Sequence, residues 1–105
     1  MNIQLNALTT EKLKENLGEQ PGYFKLFFDT EGCGCNGVIV IQIISKPHAT
    51  DIEVQKEPFV FFVDRQQESL FDEHMRLEAE ENYPSFKLSS DSGLLGNNIR
   101  VKDIR

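Results

Sequence analysis

Tyr23-Phe24-Lys25-Leu26-Phe27-Phe28, then Glu31-Gly32-Cys33-Gly34-Cys35-Asn36-Gly37, then Val38-Ile39-Val40-Ile41-Gln42-Ile43-Ile44 follow one another along the chain. The first run is aromatic-rich with imperfect alternation, as in a strand. The last is β-branched and apolar on both faces, the pattern of a strand central in a sheet. Between them stand three glycines and the only two cysteines of the 105 residues, one residue apart. Strand, glycine-rich loop and strand predict a β-hairpin with the thiols at or near its tip.

A thiol pair that close is either a redox couple or half of a metal site. A disulfide over one intervening residue is strained and labile, so a structural bridge is disfavoured. A redox catalyst prefers Cys-x-x-Cys at a helix start, where the dipole lowers the thiol pKa. This pair precedes a strand and has Asp29 and Glu31 nearby, which favours the protonated thiol instead. As metal ligands, Cys33 and Cys35 supply half of a tetrahedral four-thiolate set, and a symmetric homodimer would bring the other half. Gly32, Gly34 and Gly37 would let backbone approach the sulfurs closely. The plainer alternative is a surface hairpin whose cysteines happen to be neighbours. His48 and His74 show no ligand spacing and read as surface residues.

Outward from the hairpin, Leu8-Thr9-Thr10-Glu11 predicts a helix start capped by a threonine, with Leu13 and Leu17 on one face and Gly18 as the stop. Pro21-Gly22 reads as a turn. Ile52-Glu53-Val54, Phe59–Val63, Met75–Ala79 and Ser85–Leu88 read as strands. Asp64 with Gln67 resembles a capping box for a short helix through Leu70-Phe71. The tail from Ser89 to Arg105 is polar and reads as loop. The sum is a small β-rich α+β domain over residues 1–105, with mainly antiparallel or mixed sheets, one N-terminal helix and one short internal helix.

Composition narrows function mainly by exclusion. Net charge is −6 at pH 7 and Lys and Arg are scattered, which argues against nucleic-acid binding. No apolar run approaches the roughly 20 residues of a membrane-spanning helix. Residues Met1 to Leu17 lack the apolar region of a secretory signal, so the expectation is a cytoplasmic protein. No hydrolase, P-loop or dinucleotide motif is present. Glu78, Glu80 and Glu81 read as a solvated face. Eight phenylalanines and no tryptophan point to a phenylalanine-packed core.

Over nearly its whole length the chain resembles the HesB/IscA-type iron–sulfur cluster biosynthesis family, in its short HesB-like branch of Gram-positive bacteria. Leu8–Leu13 is similar to that family's first helix, and Gly34-Cys35-Asn36-Gly37 to its Gly-Cys-Ser-Gly loop. Phe59–Asp64 followed by Ser69-Leu70 resembles its apolar strand with Asp, Ser and Leu. Phe86–Ser89 resembles its penultimate strand. The resemblance implies a non-enzymatic scaffold or carrier that binds iron or an iron–sulfur cluster and works with cluster-assembly proteins and recipient apoproteins. Cys35 matches the family's first ligand; Cys33 is an extra thiol. Members carry a Cys-Gly-Cys near the C-terminus, where this chain has Gly93-Leu94-Leu95-Gly96-Asn97-Asn98 and no cysteine. Either Cys33 and Cys35 replace that pair across a dimer, or this branch keeps the fold as a metal-free interaction or regulatory module.

Overall fold

The computed structural model describes residues 1–30 and 37–105. Among these the order is β1 (Asn2–Leu5), α1 (Ala7–Leu17), β2 (Tyr23–Asp29), β3 (Val38–Ile44), β4 (Asp51–Gln55) and β5 (Phe61–Asp64). A 3₁₀ helix (Arg65–Leu70) follows, then β6 (His74–Ala79), β7 (Phe86–Ser90), β8 (Gly93–Ile99) and β9 (Val101–Asp103). The expected α+β architecture with mixed sheets, one N-terminal helix and one short internal helix is what forms.

One sheet has the order β1-β6-β7-β8 and the other β4-β5-β2-β3-β9. The first sheet is parallel at β1 with β6 and antiparallel beyond, while in the second the parallel pairs β5 with β2 and β3 with β9 alternate with antiparallel ones. Both sheets and the helix contribute to one core: Ile3, Met75, Leu77 and Leu88 come from the first sheet, Phe24, Leu26, Ile41 and Phe61 from the second, and Leu13 from α1. Each fully buried side chain of this size contributes about 1.5–3 kcal/mol. Among the described residues no helix is long and apolar enough to cross a membrane.

Three expectations need correction. The cap of α1 is Asn6, not a threonine: Asn6 Oδ1 accepts from Thr9 N at 2.8 Å and from Thr9 Oγ1 at 2.6 Å. Thr9 Oγ1 in turn accepts from Ala79 N at 2.8 Å, which ties the helix to β6. Asn outranks Thr as a cap, and only the fold reveals the second use of Thr9. The predicted stop does occur, with Gly18 at φ +69° donating to Lys14 O.

Second, most of Ser89–Arg105 is strand rather than loop: the end of β7, then β8 and β9. β3, apolar on both faces, needs a neighbour on the side away from β2. β9 supplies it, pairing Ile41 with Val101 and Ile43 with Asp103. Only Arg100 separates β8 in one sheet from β9 in the other, so the tail staples the two sheets together. Gly96 permits the close approach, because a Cβ there would lie 3.0 Å from Ile99 Cδ1 and 3.2 Å from Ile39 Cδ1. Third, β1 is a strand that the sequence reading did not assign.

Candidate functional site

The hairpin is present, and its register locates the loop. β2 and β3 pair in seven steps from Tyr23 opposite Ile44 to Asp29 opposite Val38. Opposed Cα atoms in such a ladder lie about 5 Å apart, so the segment between them is fixed at both ends. Four of the predicted site residues, Gly32, Cys33, Gly34 and Cys35, fall on this segment and lie outside the described residues.

Gly37 is described, and its surroundings require glycine. A Cβ there would sit 2.5 Å from Phe28 Cε2 and 3.0 Å from Asp29 O. The returning chain therefore packs directly on the Phe28 ring.

Phe28 is itself held by a residue the sequence reading assigned elsewhere. Gln67 Nε2 donates to Phe28 O and Gln67 Oε1 accepts from Phe28 N, both at 2.9 Å. The capping box is thus half right: Asp64 accepts from Gln66 N at 2.9 Å, but Gln67 does not reach back to it. β5 pairs with β2 only as far as Val63 opposite Leu26. Gln67 continues that ladder with its side-chain amide, so the loop-proximal end of β2 keeps its backbone bonds. Gln55 does the same for Ile3, accepting from its N at 2.6 Å and donating to its O at 3.0 Å.

A groove of about 230 Å³ opens beside the loop base, lined by Phe27, Phe28, Asp29, Thr30, Gln42, Gln67 and Lys102. Further along the same face, Lys25 and Asp51 form a buried ion pair with Nζ 2.8 Å from Oδ1. The contact is ionic rather than a well-aligned hydrogen bond. His48 Nδ1 stands 3.4 Å from Lys25 Nζ, and the Phe27 ring lies 5.0 Å from the same ammonium. Asp51 Oδ2 also accepts from His48 N at 2.8 Å. His48, with its side chain 58% exposed, belongs to this cluster, whereas His74 is exposed in the other sheet opposite Asn2. Among the described residues no group of three or more His, Cys, Asp or Glu is arranged to hold a metal ion. A Cys₄-type centre built on the loop would need its donors from Cys33, Cys35 and a second molecule.

The family model described as iron-sulphur cluster biosynthesis matches residues 1–103. Among solved structures, a Lactobacillus salivarius protein described as a candidate Fe–S biosynthesis protein with a novel fold superposes with a TM-score of 0.80 at 17% identity, covering 100% of this chain and 99% of that one. A candidate Fe–S biosynthesis protein from Lactobacillus acidophilus gives a TM-score of 0.80 at 17% identity, with 98% and 90% covered. Escherichia coli SufA, involved in biosynthesis of iron–sulfur clusters, gives 0.60 at 19% identity, with 83% and 78% covered. At these identities the structural likeness concerns the fold alone. A search of curated protein sequences finds no significant match.

Proposed function

The chain belongs to the iron–sulphur cluster biosynthesis family, and from that premise we propose that it is a non-enzymatic accessory scaffold or carrier that holds iron or an iron–sulfur cluster as cargo. Membership over residues 1–103 supports a role in iron–sulfur assembly and is the observation that carries the reading. On it, Cys33 and Cys35 are the ligands, and Gly32, Gly34 and Gly37 shape the loop around them. Thiolates are the donors that suit such cargo, and two per chain make half a set. A homodimer completes it with four. Cluster-assembly proteins and recipient apoproteins are the partners, and the cytoplasm is the compartment. The seven-step hairpin favours this reading, since a ligand loop benefits from rigid supports.

Anaerobic reconstitution with iron and sulfide, followed by visible absorption and size-exclusion chromatography, tests it. Wild type should gain colour and elute as a dimer, and Cys33→Ser/Cys35→Ser should do neither. Equal, negligible uptake by both proteins would end the proposal.

One observation favours a second reading, a metal-free interaction module. Where the family carries its C-terminal cysteines, this chain has strand residues Leu94, Leu95 and Gly96 within β8. Partner capture unchanged by chelators and by loss of both thiols would select that reading.

A further inference from the structure

The groove beside the hairpin contains a polar group that the ligand-loop reading does not use. Gln42 is 9% exposed, lines the groove, and makes no side-chain hydrogen bond among the described residues. Its amide opens onto the groove rather than into the core, so it offers a donor and an acceptor to a molecule bound there. Lys102 is its Cα partner in the parallel β3–β9 ladder, lines the same groove and is exposed. Parallel neighbours project from the same face on strands about 4.8 Å apart, so the two side chains start side by side and the flexible Lys102 chain has the reach to bring its ammonium to the amide.

We propose that this groove binds a short alkyl carboxylate, one oxygen on Lys102 and the other on the Gln42 amide N–H. Two donors side by side match the two oxygens of a planar carboxylate. A phosphate, with more charge, would call for more cations than the single Lys102, in a chain of net charge −6. Phe27 and Phe28 offer apolar surface to a hydrocarbon portion, and about 230 Å³ limits the ligand to a few carbons. Asp29, already engaged in an interaction of its own, and Thr30 close the loop side. Gln67 is spent on Phe28 and contributes shape only.

The test is titration of the ¹⁵N-labelled, reduced full chain with butyrate, followed at the Gln42 side-chain amide and the Lys102 backbone amide by NMR. Saturable shifts of both are expected. Butyramide, isosteric and neutral, should bind about ten-fold more weakly or worse, the scale of one charge-assisted hydrogen bond. Lys102→Gln, at an exposed position, should weaken butyrate by a similar factor. Gln42→Glu should abolish binding while retaining a dispersed spectrum. Non-saturating shifts overturn the proposal, as does equally tight binding of butyramide or inorganic phosphate. If Gln42→Glu loses its dispersion, Lys102→Gln decides: unchanged butyrate affinity refutes the site.

Discussion

At Gly37 the hairpin return lies against the Phe28 ring, and the nearest ring atom is 2.5 Å from where a Cβ would be. Gly37→Ala should therefore destabilise by about 1–3 kcal/mol through overpacking. Urea denaturation should show a lower midpoint at unchanged slope, and a smaller ring at position 28 should recover part of the loss, since the two sites touch. Gln67→Leu removes both partners of the Phe28 backbone, an expected cost of about 1–3 kcal/mol. Hydrogen exchange would localise the change to the Phe28 amide, and protection unaltered there would refute the clamp. Asp51→Asn leaves the buried Lys25 ammonium short of a counter-charge and should cost about 3–5 kcal/mol. Lys25→Met/Asp51→Leu should restore much of that stability in the same urea assay. Of these residues Gly37 was visible in the sequence, though for a different reason, closeness to sulfur. Gln67 carried a signal in its spacing from Asp64, but that spacing named the wrong partner. Nothing local marks the pairing of Lys25 with Asp51, because it joins β2 to the start of β4 across an intervening strand.

Among the elements, β2, β3, β6 and β7 were readable because their patterns are local: aromatic or β-branched runs ended by turn residues. β3 was correctly placed inside a sheet, since residues apolar on both faces have nowhere else to go. β8 and β9 were not readable. Glycine and asparagine lower strand propensity there, and the features that make the segment a strand lie in distant partners, Ile39, Ile41 and Ile43. The turn entering β8 also has an acid-sensitive latch. Asp72 accepts hydrogen bonds from Ser90 Oγ and, at 2.7 Å, from Ser92 Oγ, and these hold its carboxyl below the ordinary aspartate range. A depressed folded-state pKa means stability that is fully present above about pH 4 and lost as pH falls through the lowered value. Wild type should thus exceed Asp72→Asn in urea midpoint near neutral pH, with the gap closing in acid. A gap independent of pH would assign the effect to geometry alone.

At the scale of the molecule, the two sheets share one core and the tail runs from one to the other. Residues 1–105 should accordingly unfold as one cooperative unit. Far-ultraviolet circular dichroism and tyrosine emission should give coincident denaturation curves, whereas separate midpoints would mean that the sheets hold together independently. The class of fold was legible because composition and strand spacing determine it. The division of strands between two sheets was not, because the parallel pairs join segments far apart in sequence.

The rung that secures Phe28 is made by a side chain, and this separates two lifetimes that a sheet ordinarily couples. A backbone ladder opens by peeling a strand, a slow and cooperative event. The Gln67 amide can swing away by rotation about its own χ angles, exposing the Phe28 N–H and C=O to water while Leu26 and Val63 stay paired. The foot of the thiol hairpin is thus fastened by one side chain, whose release is a local rotation that leaves the backbone ladder intact.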